Sequence, residues 1–324
     1  SNEVPKEFTA IPFSHYGNYR TECFDSISRV LRTYYATRNT VTRIRQKSAD
    51  LRHVVQTNLE RARKKYDLQS KQLQGTEGRE KYKVYGELIN TYGYNLEPGS
   101  KELTALNYYT NEEITIPLDP TQTPGENAQR YFAKYNKQKR TFEALTELIQ
   151  ETADDIQYLE SISNALDIAL NEADLAQIKE ELMQSGYIRR KHTKKKVKLT
   201  SKPMHYISSD GYDMYVGKNN LQNEELTFSF ANGNDWWFHA KGAPGSHVIV
   251  KSGGDELPDR TFEEAGRLAA YYSKNRGADK VEIDYIQKKH VKKPNGAKPG
   301  FVVYYTNYSL VIDSDISNIK NVQD

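Results

Sequence analysis

Residues 126–172 read ENAQRYFAKYNKQKRTFEALTELIQETADDIQYLESISNALDIALNE, and their heptad pattern decides the fold. One seam position is taken by Ala128, Tyr135, Phe142, Ile149, Ile156, Ser163 and Leu170, and the other by Tyr131, Gln138, Leu145, Thr152, Leu159 and Leu166. A mostly apolar seam that repeats every seven residues is typical of a coiled-coil helix. The alternative is a two-helix piece of a helical bundle.

A second helical pattern spans residues 24–92, which we interpret as one very long helix broken at most once. Its apolar positions recur at steps of three and four residues from Ile27 to Tyr92. Gly75 and Gly78 weaken the helix where they occur. The two long segments therefore predict a helical pair.

The 33 residues between these segments, 93–125, are rich in proline and glycine. Residues 103–109 and 114–118 predict two short strands around Asn111. We therefore expect the long helices to run antiparallel, with a small structured tip where the chain turns. A third helix is predicted over residues 175–184.

From about residue 200 the pattern changes to strands. Two predicted hairpins pair residues 205–207 with 212–216 and residues 236–241 with 247–251. Thr261 and Glu264 form a capping-box pattern that predicts the start of a helix. Further strands are predicted at 280–286, 301–306 and 310–312. The fold class is therefore α+β: a long antiparallel coiled coil with a small tip, followed by a compact, mostly antiparallel α+β domain.

Composition narrows the class of protein. The chain has 324 residues, 46 Lys and Arg against 43 Asp and Glu, and 37% hydrophobic residues, which suits long solvated helices plus one compact domain. It lacks the run of about 20 apolar residues that a membrane span needs. The single cysteine, Cys23, excludes an internal disulfide and a cysteine-based zinc cluster.

Positive charge is concentrated in the C-terminal part. Residues 189–202 carry eight Lys and Arg and no acid, a pattern of either a solvated linker or a contact with a phosphate backbone. Residues 288–300 add five lysines on a loop shaped by proline and glycine. We expect the lysines of these separate stretches to converge on one wall of the domain, which is typical of an RNA-binding surface.

Two further motifs could carry chemistry. Residues 217–223, GKNNLQN, could offer backbone and amide donors to a phosphate or a base edge, or could be turn material. His239, His247 and Asp235 could hold a metal, but no further acid stands at ligand spacing, so structural histidines are the favoured interpretation. Ser246 and His247 are adjacent on a strand and point to opposite faces, which argues against a hydrolase. No metal and no cofactor is predicted.

These residues resemble the RNA-binding C-terminal domain of the NFACT family over residues 203–312. The matching words are Gly217-Lys218-Asn219-Asn220, Asp235-Trp236-Trp237-Phe238-His239-Ala240-Lys241, Pro244-Gly245-Ser246-His247 and Val291-Lys292-Lys293-Pro294. Upstream, Arg43-Ile44-Arg45-Gln46-Lys47-Ser48 and Asn127-Ala128-Gln129-Arg130-Tyr131-Phe132 are similar to the family's coiled-coil and middle segment. The resemblance covers about residues 20–312.

The resemblance implies three regions: 1–23 as a remnant of an N-terminal domain, 24–195 as the coiled coil with its tip at 93–125, and 196–324 as the RNA-binding domain. The family's tRNA-linked N-terminal domain and its helix-hairpin-helix region are not found, so we expect the chain to be a fragment. The residues that we predict to contact RNA are Lys218, Asn219, Asn220, His239, Lys241, His247, Lys251, Lys288, Lys289, Lys292, Lys293, Arg189 and Arg190.

The resemblance also implies a function. The family works in ribosome-associated quality control: it binds an obstructed large ribosomal subunit and tRNA, alanyl-tRNA in bacteria, and supports template-free C-terminal tailing of a stalled nascent chain that is still attached as peptidyl-tRNA. The ribosome would make the peptide bond, so we expect a cytoplasmic, ribosome-associated binding factor and not an enzyme. The alternative, from the family's older name, is a surface adhesin that binds fibronectin.

Overall fold

The structure, a computed structural model, describes residues 7–11, 21–189 and 200–322. It forms two compact units, Ser1–Leu59 with Gln157–Asp324 and, separately, Glu60–Ile156. The helices are α1 (Ile27–Lys47), α2 (Ala49–Gln74), α3 (Glu80–Tyr92), α4 (Pro124–Ile168), α5 (Glu172–Gln184), α6 (Asn220–Glu225) and α7 (Asp259–Tyr271). The strands are β1 (Glu102–Asn107), β2 (Glu112–Pro117), β3 (Met204–Ile207), β4 (Asp213–Val216), β5 (Trp236–Ala240), β6 (Val248–Val250), β7 (Val281–Gln287), β8 (Tyr308–Ile312) and β9 (Lys320–Asn321).

The predicted helix over residues 24–92 has two interruptions instead of one. Gly75 and Thr76 end α2, and a 3₁₀ turn at Glu77–Arg79 leads into α3, as the glycines predicted. At the other interruption, Ser48, the sequence has no proline or glycine that would predict a break in the helix. Ser48 is buried, and its hydroxyl donates to the Arg45 carbonyl at 3.0 Å instead of to solvent.

Within the first unit, α1 and α2 run antiparallel to the end of α4. Ile44, Leu51 and Val55 are buried together with Tyr158, Ile162 and Leu166. Arg52 donates to Asp167 at 2.5 Å and to the Leu166 carbonyl at 2.6 Å. The heptad pattern predicted this apolar packing along the seam. The hydrogen bonds of Arg52 add a polar contact beside it.

The second unit contains the predicted tip. β1 and β2 form an antiparallel hairpin in which Leu103 lies opposite Ile116, and Asn111 has the positive φ of +56° that the turn requires. This confirms the two strands predicted around Asn111. Thr152, a polar seam position, is buried and donates to Gln69 of α2 at 2.9 Å, so a hydrogen bond replaces an apolar contact there.

The remaining strands, β3 to β9, form a seven-stranded antiparallel sheet in the order β8-β7-β5-β6-β4-β3-β9. Side chains alternate between two faces. One face packs on α7, and the other lies under the segment after α6 and the residues 291–304. Both predicted hairpins are present. Helix α5 belongs to the same unit as the sheet, whereas we expected it in the coiled-coil region.

Two local predictions were wrong. Residues 301–306 do not form a strand, because Val302 and Tyr304 pack down onto the sheet face and only the bridge between Lys292 and Val303 is made. Thr261 and Glu264 do not cap α7, which begins two residues earlier, after Pro258. Glu264 instead accepts from the Ser209 backbone at 2.8 Å and so holds the turn between β3 and β4.

Within the residues that the structure describes, no helix is both long enough and apolar enough to cross a bilayer.

Candidate nucleic-acid interface

The loop of residues 288–300 begins where β7 ends and has a defined conformation. Its first residues form a 3₁₀ turn, Lys288–His290, and Val291 is buried in the core on the second face of the sheet. Lys292 and Val303 exchange both backbone hydrogen bonds, at 2.9 and 2.8 Å. The loop is therefore anchored at its start and near its end, which fixes the positions of its lysines.

α6 fastens the other side of this loop. One carboxylate oxygen of Glu224 accepts from Lys293 Nζ at 2.7 Å and from the Gly300 backbone at 3.2 Å. Gly300 has a φ of +76°, and a Cβ at this position would lie 2.9 Å from the Asn220 side chain. Only glycine allows this close approach.

The loop presents its basic side chains outward. Lys289, His290, Lys292 and Lys293 are exposed, and Lys288 is half-buried. Lysines at the surface of a fixed loop can hold a phosphate backbone without the cost of ordering the loop. Of the predicted residues, those of this loop are the ones that the structure places together on the surface.

Lys298, the fifth lysine of the loop, has a different role. Its ammonium lies 4.7 Å from the centre of the Tyr158 ring and 3.2 Å from the Tyr187 hydroxyl. These contacts hold the end of the loop against α4 and the residues after α5.

Lys251 and Lys241 lie at opposite ends of the sheet. Val250 pairs with Trp236, as does Gln287, so Lys251 and Lys288 are at the same end. Lys241 follows the other end of β5, about 17 Å further along at the rise of a strand. The expected convergence on one wall is therefore wrong for Lys241, whereas Lys251 lies at the same end of the sheet as the loop.

Both of these lysines are paired with acids. Lys251 Nζ donates to Asp235 and lies 4.8 Å from the centre of the Phe230 ring. Lys241 is bonded to Glu282, and that hydrogen bond raises the pKa of Lys241 above its ordinary value. Asp235 therefore reduces the attraction of Lys251 for a phosphate, and Glu282 does the same for Lys241.

The residues Lys218, Asn219 and Asn220 point inward, which contradicts their expected place on the interface. Lys218 is 4% exposed, and its ammonium lies 2.9 Å from Asp174 Oδ1 on α5. Asn219 caps α6 by accepting from the Gln222 backbone at 3.0 Å. A buried cation with a buried carboxylate partner has no surface left for a phosphate.

The remaining groups of this motif extend the same buried network. Asn220 donates to Glu181 at 2.8 Å and to Ser161 at 2.7 Å, while Asn219 donates to Gln177 at 2.9 Å. Gly217 is required because a Cβ there would lie 2.1 Å from Asn223 Oδ1. The motif therefore joins α6 to α5 and α4.

The capping box of α5 holds the Asp174 carboxylate, which binds Lys218, in place. Asn171 accepts from the Asp174 backbone at 3.0 Å, and Asp174 Oδ2 accepts from the Asn171 backbone at 3.3 Å and from the Leu170 backbone at 2.8 Å. This capping box uses one carboxylate oxygen of Asp174. The other oxygen accepts from Lys218 and from the Ser201 hydroxyl.

His239 and His247 lie on the sheet face that the loop covers, with ring centroids 5.5 Å apart. Burial lowers the pKa of His239 to about 4 and holds the pKa of His247 well below its usual range. His247 Nδ1 is 2.8 Å from the Thr227 hydroxyl. Both rings are therefore neutral at pH 7 and cannot neutralise a phosphate.

The described ranges contain no group of three or more His, Cys, Asp or Glu side chains that could hold a metal ion. His239, His247 and Asp235 therefore do not form such a group in these ranges. Arg189 is exposed at the end of the described helical region. Arg190 lies outside the described residues.

Sequence reasoning missed a row of aromatic rings on the face of the sheet that packs on α7. Trp236, Tyr285 and Tyr308 come from three neighbouring strands and contact one another. The available signal was the excess of tyrosine, 24 of 324 residues. The pairing of β5, β7 and β8, which brings the three rings together, cannot be read from composition.

Comparison with known proteins gives the family. Residues 1–201 match the model of the NFACT N-terminal and middle domains, and residues 202–305 match the model of the NFACT protein RNA-binding domain. The protein "Rqc2 homolog RqcH" of Streptococcus pneumoniae is 40% identical over 98% of this chain and 56% of its own length. The protein of the same name from Bacillus subtilis is 38% identical over 91% of this chain and 52% of its own length. The chain thus spans about half the length of these relatives.

A solved structure is also similar. It is the C-terminal part of the fibronectin/fibrinogen-binding protein from Streptococcus suis, with a TM-score of 0.67, 37% identity, and coverage of 86% of this chain and 99% of that one. Family models that together span residues 1–305, and relatives of this identity, show that the chain belongs to the NFACT family.

Proposed function

We propose that this chain is an RNA-binding part of a ribosome-associated quality-control factor. Its match to the family's RNA-binding domain and the name of its relatives, Rqc2 homolog RqcH, support this role. The observation that carries the proposal is the loop 288–300, whose outward lysines are held in place by a folded backbone. The partners would be tRNA and the RNA of an obstructed large ribosomal subunit.

In this proposal the chain binds and positions, and the ribosome makes each peptide bond. The whole protein would hold alanyl-tRNA near a nascent chain that is stalled as peptidyl-tRNA, so that a C-terminal tail is added without a template. It would act in the cytoplasm, on the ribosome, without a cofactor. The lysines of the loop would contribute affinity for phosphates, which does not depend on base sequence.

A charge-reversal pair tests the loop. Lys289→Glu with Lys292→Glu changes two exposed side chains, and we expect binding of the full 324-residue chain to tRNA to weaken at least tenfold, since two phosphate contacts become repulsive. Fluorescence anisotropy with labelled tRNA at fixed salt is the measurement.

The matched control is Lys280→Glu with Lys320→Glu. Both lysines are exposed, and the pair gives the same change in net charge. Lys280 precedes β7 at the end far from the loop, and Lys320 lies on the opposite edge strand, β9. Equal weakening by both pairs would show that only net charge matters and would contradict a localised interface.

A second candidate is fibronectin binding, which the name of the similar Streptococcus suis structure favours. Surface plasmon resonance of the full chain on immobilised fibronectin tests it. Saturable binding that Lys289→Glu with Lys292→Glu leaves unchanged, together with absent tRNA binding, would favour this candidate over the first.

A further inference from the structure

A pocket with a volume of about 430 Å³ lies within the first unit, where three helices end. Its lining comes from the last turns of α1 and α4, from the start of α2, and from the end of α7 with the residues that follow it. No residue of the loop 288–300 lines it. The volume is in the range of about 300–1,000 Å³ that is usual for small-molecule sites.

The lining of this pocket is positively charged. Its charged residues are Arg45, Arg52, Lys274 and Arg276 on one hand and Glu160 and Asp167 on the other. Arg52 pairs with Asp167 at 2.5 Å, and Lys274 Nζ lies 3.3 Å from Glu160. Two acids cannot neutralise four cations, so the lining keeps a net charge of +2. The pocket therefore attracts an anion.

Arg276 is held in a fixed orientation by a ring of the lining. The central carbon of its guanidinium lies 3.4 Å from the centre of the Tyr271 ring. Burial lowers the pKa of Arg276 to about 10, because the charge is partly withdrawn from water. A stacked guanidinium offers its N–H groups as a rigid fork that matches the oxygens of a phosphate. An anion bound there would compensate the charge that water solvates poorly.

The helix ends offer a simpler reason for cations, since the last carbonyls of a helix attract positive charge. These carbonyls already have donors. Arg52 donates to the Leu166 carbonyl near the end of α4 at 2.6 Å, and Asn164 donates to the Tyr272 carbonyl after α7 at 3.1 Å. The net charge of the lining therefore exceeds what these two helix ends require.

Part of the lining is apolar. Val41 and Ile44 of α1, Leu170 and the Tyr271 ring all contribute to it. An inorganic ion would leave this apolar surface unused, whereas a phosphate that carries an organic group can cover it. A phosphate monoester has a charge of about −1.5 to −2 at pH 7, close to the opposite of the lining, and a carboxylate or an internal RNA phosphate has only one.

We propose that this pocket binds a nucleoside 5′-phosphate, with the phosphate against Arg276 and Arg45 and the nucleoside on the apolar part. Two sources share this chemistry, a free 5′-nucleotide and the 5′ end of an RNA. The RNA source rests on the proposed function and adds a second contact to it, separate from the lysines of the loop. The free nucleotide does not depend on that function.

Isothermal titration of the full chain with 5′-AMP, and with adenosine as the matched compound without phosphate, tests the pocket. We expect 5′-AMP to bind at one saturable site and adenosine to bind at least tenfold more weakly. Arg276→Gln should weaken 5′-AMP binding about 10- to 100-fold, the effect of losing charge-assisted hydrogen bonds. Arg276→Lys keeps the charge but not the planar fork, and should also weaken binding.

A second position keeps the test independent of folding. Arg276 is half-buried, so urea unfolding must show that its variants are folded. Arg45 is exposed, and Arg45→Gln should fold normally and weaken 5′-AMP binding about 2- to 5-fold. The matched control is Arg32→Gln, which removes an exposed arginine from the same helix about 20 Å away and should have no effect.

Two single-stranded RNAs of one sequence, with a 5′-phosphate and with a 5′-hydroxyl, distinguish the sources. If the pocket holds an RNA end, the 5′-phosphate RNA binds more tightly, and Arg276→Gln and Arg45→Gln remove the difference. If both RNAs bind equally while 5′-AMP still binds, the source is a free nucleotide.

The remaining outcomes separate this inference from the proposed function. Absent 5′-AMP binding together with equal binding of the two RNAs would overturn the pocket, and so would equal binding of 5′-AMP and adenosine or equal effects of Arg45→Gln and Arg32→Gln. The proposed function would then still stand on tRNA binding by the loop. Binding of 5′-AMP without any binding of tRNA would overturn the proposed function and support the pocket as a nucleotide site.

Discussion

Two lysine-bearing motifs of the same unit, residues 217–223 and residues 288–300, have opposite orientations. In the first, Lys218 points inward to Asp174 and has almost no exposed surface. In the second, Lys289 and Lys292 point outward from an anchored loop. The difference shows that a basic motif keeps its charge at the surface only where no buried acid is placed to receive it.

The inward motif and the outward loop are also linked. α6 begins within the first motif, and Glu224 at its end binds Lys293 and the Gly300 backbone of the second. A change in the buried motif can therefore reach the interface through α6, while a change in the exposed lysines should leave the core intact. The following predictions test this asymmetry, from the largest expected effect to the smallest.

Lys218→Met should have the largest effect on stability. It leaves Asp174 buried without its cation, and breaking such a pair costs about 3–5 kcal/mol. We expect the lower end of this range, because Asp174 keeps its capping contacts and Ser201. Urea unfolding measures the free energy of unfolding.

Adding Asp174→Asn to Lys218→Met should recover part of this loss, since asparagine is neutral and can still cap α5. A Lys218→Met variant with unchanged stability and abolished RNA binding would contradict the structural role of Lys218.

Glu181 should make stability depend on pH. Burial raises its pKa to about 7, so between roughly pH 4.3 and pH 7 the folded chain holds a proton that the unfolded chain has released. The stabilisation is complete below pH 4.3 and is lost as pH rises through 7, an effect of about 4 kcal/mol at most. Urea unfolding at pH 5 and at pH 8 measures it.

Glu181→Gln should remove this part of the pH dependence, because glutamine does not titrate and can still accept from Asn220. Glu180→Gln, at the neighbouring and less buried position, is the matched control and should keep the dependence. If Glu181→Gln leaves the slope of stability against pH unchanged, the buried carboxyl is not its source.

Lys289→Ala with Lys292→Ala should have the smallest effect on stability. Both side chains are exposed on the loop, and such substitutions usually change the free energy of unfolding by less than about 0.5 kcal/mol. Binding to tRNA should nevertheless weaken severalfold, because two phosphate contacts are lost. A large loss of stability in this variant would show that these lysines, like Lys218, have a structural role, and would contradict the prediction.

Periodicity predicted the architecture well. The heptads of α4, the hairpin around Asn111 and the two hairpins of the sheet follow from local sequence, because each feature is set by neighbours along the chain. The interruption at Ser48 and the role of Glu264 depend on contacts between distant residues. Glu264 matched a capping box, yet the Ser209 backbone from another turn takes its carboxylate.

The candidate interface was predictable in part for the same reason. The loop 288–300 could be identified from its lysines and its prolines and glycines, which are local features. The burial of Lys218 depends on Asp174, which is 44 residues away in the sequence. The stack of Tyr308 on Tyr285 depends on strand register, which no local pattern gives.

The salt dependence of tRNA binding tests the outward loop most directly. Each phosphate contact contributes about 0.7–0.9 to the slope of log affinity against log salt concentration. Lys289→Gln with Lys292→Gln should therefore make the slope shallower by about 1.4–1.8, while Lys280→Gln with Lys320→Gln leaves it as it is. An unchanged slope in the loop variant would contradict the account.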